Sequence, residues 1–261
     1  MHKGLREIHQ QMKTVDAIIE VRDARLPISS WNRPFRSTYQ HKKVLLILNK
    51  ADIANPDTTD SWKKYFLEQG EAVMVWSKNE TSLRPIHNFL KKTSFEVSQI
   101  AKSKGITLPS VRFMVVGVPN TGNMPGVTRS CSWIKVSKGI ELFDTPGILS
   151  PSSIEKNISL ALIHSSLKKI DDYVLIKRIL EVFISHNLES KLIDFYSLTK
   201  SSLSSENTFL NSVANSLGYI KKNQTADLER AASKVIKDFR DGNITTISLE
   251  TPEDILDESL I

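Results

Sequence analysis

The tetrapeptide Asn49-Lys50-Ala51-Asp52 has the residue types and spacing of a loop that recognises guanine. A carboxylate at Asp52 can accept two hydrogen bonds, from the ring N1–H and the exocyclic amine of guanine. Adenine lacks this pair of donors, so a buried carboxylate facing it would lose its partners, and that cost produces discrimination. The stem of Lys50 can pack over the base, Asn49 can tie neighbouring loops, and Ser77-Lys78 could complete the pocket. The alternative is an ordinary polar turn between a strand and a helix.

A second segment has the glycine spacing of a loop that binds phosphate. Its two glycines enclose four residues, as in loops that aim backbone N–H groups at phosphate oxygens. The predicted cofactor-binding residues of this loop are Gly117, Val118, Pro119, Asn120, Thr121 and Gly122. The pattern then requires Lys followed by Ser or Thr, but Asn123 and Met124 stand at these positions.

Few residues separate the phosphate loop from the next motif. Such a loop normally opens a helix of three or more turns, which takes about eleven residues, whereas residues 123–127 alone lie between Gly122 and Thr128. We therefore expect the encoded protein to carry a further segment, with the Lys-Ser pair, at the junction of Gly122 and Asn123. The alternative is a degenerate site that binds nucleotide poorly or not at all.

Two further motifs have the residue types that hold Mg²⁺ and contact a γ-phosphate. Thr128 ends the sequence Pro125-Gly126-Val127-Thr128, and its hydroxyl could bind the metal ion. In Asp144-Thr145-Pro146-Gly147, the carboxylate of Asp144 could hold the water shell of the metal, and the N–H of Gly147 could contact the γ-phosphate. We predict Thr128, Asp144 and Gly147 as catalytic residues, Thr128 and Asp144 as metal ligands, and GTP and Mg²⁺ as cofactors.

Alternating strand and helix patterns must position these motifs. Five apolar runs have the length of buried strands, at 17–21, 44–48, 72–76, 111–116 and 140–143. Apolar residues at helical spacing mark helices at 5–12, 62–69 and 83–90. The alternation predicts an α/β fold with a mostly parallel sheet. The base-reading, phosphate-loop and Asp-x-x-Gly motifs each follow a strand, at the edge where open α/β sheets bind ligands.

The pattern changes after Leu149. Ser150-Pro151-Ser152-Ser153 is a hinge-like break, and helical patterns follow at 154–167, 172–185, 209–217 and 228–239, the last closed by Gly242. A strand-like run at 244–249 precedes an acidic segment that we expect to be solvated from residue 250 onward. We therefore predict a first domain over 1–150, a helical domain over 151–250 and an acidic tail over 251–261.

The composition excludes some classes of protein. The single cysteine, Cys131, excludes an internal disulfide and a cysteine-based zinc site. Since no apolar run reaches the roughly 18 residues of a membrane span, an integral membrane protein is not expected. The net charge of +6 permits a polyanionic partner such as RNA without requiring one. Lysine pairs such as Lys221-Lys222 are more often a solvated face, and Tyr219 is more often packed than stacked on a base.

The order of the motifs is unusual, because the base-reading sequence precedes the phosphate loop. In this order the chain resembles the circularly permuted GTPases of the YlqF/RbgA type, which assemble the large ribosomal subunit, and their mitochondrial branch. The supporting stretches are 3–5, 15–27, 46–52, 117–122, 125–129, 142–149 and 226–253. The resemblance implies a circularly permuted Ras-like P-loop GTPase domain followed by a small helical RNA-binding domain.

The resemblance also implies a function and partners. These are GTP hydrolysis in late maturation of the large ribosomal subunit, contact with that subunit and its rRNA, and other assembly factors as further partners. We expect a location in the mitochondrial matrix, with inner-membrane association, and the bacterial cytoplasm as the alternative. A family histidine that assists hydrolysis would lie before Met1, and His2 does not inherit its role. Ile148 replaces the water-orienting Gln of Ras-like enzymes, so hydrolysis should be slow without the ribosomal partner.

Two other functions stay open at this point. One is a pseudo-GTPase that docks on rRNA without hydrolysis. Residues 123–124 discriminate it from the enzyme, because a Lys-Ser pair and a helix in the encoded sequence would favour the enzyme. The other is a nucleotide-dependent regulator with no ribosomal role.

Overall fold

The structure of the chain is a computed structural model that describes residues 2–80, 82–107, 110–117, 131–145, 158–164 and 170–255, with the backbone alone at 2–6, 33 and 34. The chain divides into two compact units. The first contains residues 1–150 together with 250–261, and the second contains residues 151–249.

A six-stranded mixed sheet forms the centre of the first unit. Its strands are β1 (Ala17–Asp23), β2 (Lys43–Asn49), β3 (Ala72–Val75), β4 (Val111–Gly117), β5 (Ser132–Ser137) and β6 (Ile140–Asp144). The order across the sheet is β3-β2-β1-β4-β6-β5, and only the β5–β6 pair is antiparallel among these strands. All five strands predicted for the first domain are confirmed, and the prediction of a mostly parallel sheet is correct.

Strand β5 was not predicted. It lies at the edge of the sheet and its residues are exposed along its whole length. An exposed edge strand needs no buried apolar run, which is the pattern that revealed the other strands.

Helices cover both faces of the sheet because successive strand residues point to opposite sides. Ile18 packs in the cluster of α1 (His2–Met12) and α2 (Arg33–Arg36), whereas Ile19 packs in the cluster of α4 (Arg84–Ser103). A third cluster surrounds Trp62 of α3 (Pro56–Glu68). Helix α3 begins six residues before residue 62, the predicted start, because its first turn is polar and shows no apolar periodicity. Asn55 caps this helix by accepting a hydrogen bond from Thr58 N.

The second unit is helical. It contains α5 (Ile158–Ile163), α6 (Asp172–Ser185), α7 (Glu189–Tyr196), a 3₁₀ turn (Lys200–Leu203), α8 (Glu206–Ser216) and α9 (Leu228–Asp241). Helix α6 has the predicted bounds, and Gly242 ends α9 with a φ of 71°. Helix α7 was not predicted, and the strand predicted at 244–249 is wrong, because this segment pairs with no strand of the described chain.

The chain returns to the first unit at Glu250. The Glu250 carboxylate accepts hydrogen bonds from the backbone N–H groups of Ile28 (2.8 Å) and Ser29 (3.0 Å). The Glu250 carbonyl accepts one from Trp62 Nε1 at 3.0 Å, and a 3₁₀ turn, Pro252–Ile255, follows. The expectation of a solvated segment from residue 250 onward is therefore wrong for Glu250, whereas Glu253 is exposed. Within the part of the chain that the structure describes, no helix has the length and apolarity to cross a membrane.

Candidate nucleotide-binding site

The parallel strands bring distant motifs to one edge of the sheet. The pairing places Asp23 beside Asn49, Val21 beside Gly117, and Val115 beside Asp144. The base-reading loop follows β2 and the phosphate loop follows β4, with β1 between them. Since neighbouring strands are about 4.8 Å apart, the ends of β2 and β4 lie roughly 10 Å from each other. A single nucleoside triphosphate can span this separation.

The base-reading loop is tied to the ends of two strands. Lys50 has a positive φ of 64°, and its N–H donates to Asn49 Oδ1 at 2.9 Å. Ala51 N donates to Trp76 O at 3.1 Å, while Trp76 N donates to Leu48 O at 2.8 Å. The tight turn after β2 is therefore held against the chain that leaves β3, which gives Asp52 a fixed starting point.

The two polar segments predicted to surround the base lie together. The carboxylate of Asp52 is 11% exposed and lies 3.4 Å from Lys78 Nζ. The side chain of Lys78 is 74% exposed, so solvent screens this ion pair and little free energy is needed to separate it. Lys78 therefore lies beside Asp52, and the part of Ser77 and Lys78 in base binding stays a prediction.

A buried ion cluster lies behind the base-reading loop. Lys50 Nζ is 2.8 Å from Asp23 Oδ2, and the Asp23 side chain is completely buried. Arg25 also binds this carboxylate, with Nε to Oδ1 and Nη2 to Oδ2 both at 2.9 Å. Burial and the nearby Arg25 lower the pKa of Lys50, and Asp23 opposes this shift.

Sequence reasoning did not select Asp23 or Arg25 as site residues. The available signal was a group of charged residues, 22–25, directly after an apolar strand. Lys and Arg side chains are seldom fully buried unless paired, so this placement indicates a specific electrostatic role.

A second buried charge cluster lies earlier on β1. Glu20 accepts hydrogen bonds from Arg22 Nε (2.6 Å), Arg36 Nη1 (2.9 Å) and the hydroxyl of Tyr39 (2.8 Å). Burial and the Glu20 charge raise the pKa of Tyr39, so the phenol donates as a neutral group. The planar group of Arg22 lies 4.2 Å from the Trp31 ring centroid. These contacts join β1 to α2 and to the residues that follow this helix.

Gly117 ends β4 where two strands approach closely. Its φ is +136°, and a Cβ atom there would lie 1.9 Å from the carbonyl oxygen of Val21. Only glycine can occupy this position without displacing β1. The remaining predicted loop residues, Val118, Pro119, Asn120, Thr121 and Gly122, lie outside the described residues.

Asp144 ends β6 at the same edge. The next residue, Thr145, anchors the turn, because its hydroxyl donates to Val115 O at 2.6 Å. A half-buried carboxylate suits Mg²⁺, which prefers hard oxygen ligands. Thr128 and Gly147 lie outside the described residues, and among the residues that the structure does describe no group of three His, Cys, Asp or Glu side chains is placed to hold a metal ion. The metal-ligand assignment thus stays a prediction.

Comparisons with known proteins agree with this geometry. No protein-family model matches the chain. Ribosome biogenesis GTPase A of Bacillus cereus is 30% identical, over 97% of this chain and 92% of its own. Mitochondrial ribosome-associated GTPase 1 of Xenopus tropicalis is 28% identical, over 96% and 92%. A GDP-bound structure of YlqF from T. maritima superposes with a TM-score of 0.64 at 28% identity, over 95% of this chain and all of that one.

Proposed function

The chain belongs to the ribosome biogenesis GTPase A family, and on this premise we propose that it binds GTP and hydrolyses it during assembly of the large ribosomal subunit. The observation that carries the proposal is the shared sheet edge. Asp52, Gly117 and Asp144 come from distant parts of the sequence, and the strands β2, β4 and β6 that they follow or end share one edge of the sheet, which supports a single nucleotide site.

Each residue has a defined task in this proposal. Asp52 reads the guanine edge, while Lys50 packs on the base. Gly117 lets the chain turn closely over β1 so that the backbone N–H groups of the loop can face phosphate. Asp144 would hold the hydrated Mg²⁺, with Thr128 and Gly147 as its proposed partners at the γ-phosphate. The bound ion would neutralise charge on the β- and γ-phosphates.

The residues after Gly122 support a second candidate. Asn123 and Met124 replace the Lys and Ser or Thr that normally contact the phosphates and the metal ion. A chain with this sequence could bind rRNA under the control of nucleotide without hydrolysing it. We place hydrolysis first because Asp52, Gly117 and Asp144 keep the residue types of a GTPase site and the relatives are GTPases by name.

The proposed partners are the large ribosomal subunit and its rRNA, with other assembly factors. Lys221 and Lys222 are exposed on the second unit and suit a phosphate backbone. Arg230 lies over the ring of Tyr219, 4.1 Å from its centroid, so this ring already has a cationic partner. We infer a mitochondrial location, supported by the mitochondrial relative, and the bacterial relatives keep the cytoplasm as the alternative.

Base recognition is tested by Asp52→Asn. The amide replaces one acceptor with a donor, which suits the O2 of xanthine, so preference should move from GTP to XTP by at least about a hundredfold. Equilibrium titration with fluorescent nucleotides measures the change. Asp60→Asn, an exposed acid on α3, is the matched control and should keep GTP preference. Equal GTP affinity in Asp52→Asn and the parent would remove Asp52 as the base reader.

The ribosomal role is tested by co-sedimentation with purified large subunits. The proposal expects tighter binding with a non-hydrolysable GTP analogue than with GDP, and phosphate release that increases when particles are added. Particle binding with no phosphate release would favour the rRNA-binding module. A chain that binds GTP but never binds particles would instead be a regulator outside the ribosome.

A further inference from the structure

We propose that Asp23 is a positioning residue for guanine binding, acting through Lys50. The inference rests on the proposed function, since it assigns a role within the same site. It concerns the face of the base on which Lys50 packs, and not the edge that Asp52 reads.

Lys50 has a strained backbone conformation. Its φ of 64° lies in the left-handed region, which costs a non-glycine residue free energy. Such strain persists only where the surroundings over-determine the conformation. Two contacts do so here: Lys50 N donates to Asn49 Oδ1, and Lys50 Nζ lies 2.8 Å from Asp23 Oδ2.

Asp23 lies next to the base-reading loop. It ends β1, and the pairing of β1 with β2 puts it directly opposite Asn49, the first residue of the base-reading loop. Ala24 N donates to Asn49 O at 2.8 Å, so the two strand ends are also joined through the backbone. A carboxylate at this place can reach Lys50 from behind the loop.

Several hydrogen bonds hold the Asp23 carboxylate and backbone in place. Both carboxylate oxygens bind Arg25, Arg25 N donates to Asp23 Oδ1 at 3.1 Å, and Asp23 N donates to Ser30 Oγ at 3.1 Å. A carboxylate fixed by a bidentate arginine has one defined geometry. It therefore anchors the ammonium of Lys50 at one point.

The methylene stem of Lys50 is therefore a preorganised surface on which the base can pack. An unanchored lysine loses rotamer entropy when it packs on a ligand. With Nζ fixed on Asp23, most of that loss occurs during folding, and the methylene stem is already in place when the nucleotide arrives. Arg25 alone would suffice to neutralise Asp23, so the second cation is explained by its position in the nucleotide loop.

The test uses the full chain with Asp23→Asn, Lys50→Met and the double variant. Each single change should weaken GDP binding roughly tenfold, which corresponds to about 1.4 kcal/mol. If Asp23 acts through Lys50, the double variant should lose little more than the larger single loss. Losses that multiply would show that Asp23 acts independently, and would overturn the inference.

A matched control separates positioning from stability. Glu20→Gln removes another buried carboxylate from the same strand, with two arginine partners and none in the nucleotide loop. Both variants should lower the unfolding temperature, but only Asp23→Asn should weaken GDP binding. Equal losses of affinity would mean that any damage to β1 suffices, and would defeat the inference.

The ratio of GDP to IDP affinity provides a readout that general loop damage would change. IDP lacks the exocyclic amine that Asp52 reads, whereas its face resembles that of GDP. The ratio should therefore stay as in the parent for Asp23→Asn. A collapsed ratio would show that Asp23 shapes the whole loop. A parent chain that does not bind GDP at all would overturn the proposed function and this inference with it; a parent that binds GDP as tightly as Asp23→Asn would overturn this inference alone.

Discussion

At the scale of single residues, Gly117 shows how little space the phosphate end of the sheet leaves. A Cβ there would lie 1.9 Å from Val21 O, and the φ of +136° is one that other residues rarely adopt. Gly117→Ala should therefore lower the free energy of unfolding by roughly 3 kcal/mol or more. Chemical denaturation of the purified variant measures this loss.

Gly139 is a suitable control for this prediction. Its φ of +79° is also positive, but a Cβ there meets nothing within 4 Å. Gly139→Ala should cost about 1 kcal/mol, the conformational term alone. Equal losses at the two positions would mean that the close approach of Gly117 to β1 contributes no free energy.

At the scale of elements, Asp238 links three parts of the helical unit. This residue of α9 is buried and accepts hydrogen bonds from Tyr196 Oη of α7 (2.8 Å), Lys234 Nζ (2.6 Å) and Asn243 Nδ2 (2.9 Å). Asp238→Asn should lower the free energy of unfolding by about 2–4 kcal/mol, because an amide has one acceptor oxygen where the buried carboxylate has two for these three donors. Thermal and denaturant unfolding of the variant measure the loss.

The pKa of Asp238 adds a pH dependence to this prediction. Burial opposes its ionisation, but hydrogen bonds from Lys234, Asn243 and Tyr196 outweigh burial and hold the pKa below the ordinary 3.8. The stabilisation is therefore complete above pH 3.8 and is lost as the pH falls through the folded-state pKa. Asp241→Asn, with its exposed Lys237 partner on the same helix, is the control and should change stability by less than about 0.5 kcal/mol.

At the scale of the whole molecule, the chain leaves the first unit at residue 150 and returns to it at Glu250. Glu250→Ala would leave the N–H groups of Ile28 and Ser29 without their acceptor, and should destabilise the first unit by about 2 kcal/mol. Glu250→Gln keeps an acceptor and should cost less. Hydrogen exchange of the Ile28 and Ser29 amides measures the effect, and unchanged protection in Glu250→Ala would contradict an anchoring role.

The charge of Glu250 determines the pH dependence of this anchor. Burial raises its pKa above the ordinary 4.5, although hydrogen bonds from Ser29 and Ile28 oppose the shift. The contribution of a protonated Glu250 is therefore fully present below pH 4.5 and is lost as the pH rises through the folded-state pKa. Relative to Glu250→Gln, the parent should become less stable over that interval. A constant difference between the two would show that Glu250 does not titrate with folding.

The sequence by itself determined the strands with buried apolar runs and most of the helices, and it selected Asn49-Lys50-Ala51-Asp52 and Asp144 as candidate site residues. These features depend on residue type and on periodicity along the chain, which are local properties. The exposed edge strand β5 and helix α7 were not predicted, because neither shows apolar residues at a clear regular spacing.

The tertiary structure alone decided which residues meet. The contact of Asp23 with Lys50, the approach of Gly117 to Val21 and the bond from Ile28 to Glu250 depend on strand order and on where the chain returns. Strand order is set by packing the whole sheet between its helices, a sum over many distant contacts that no single segment reveals. For that reason the candidate base-reading motif could be predicted from the sequence, and the contact of Asp23 with Lys50 could not.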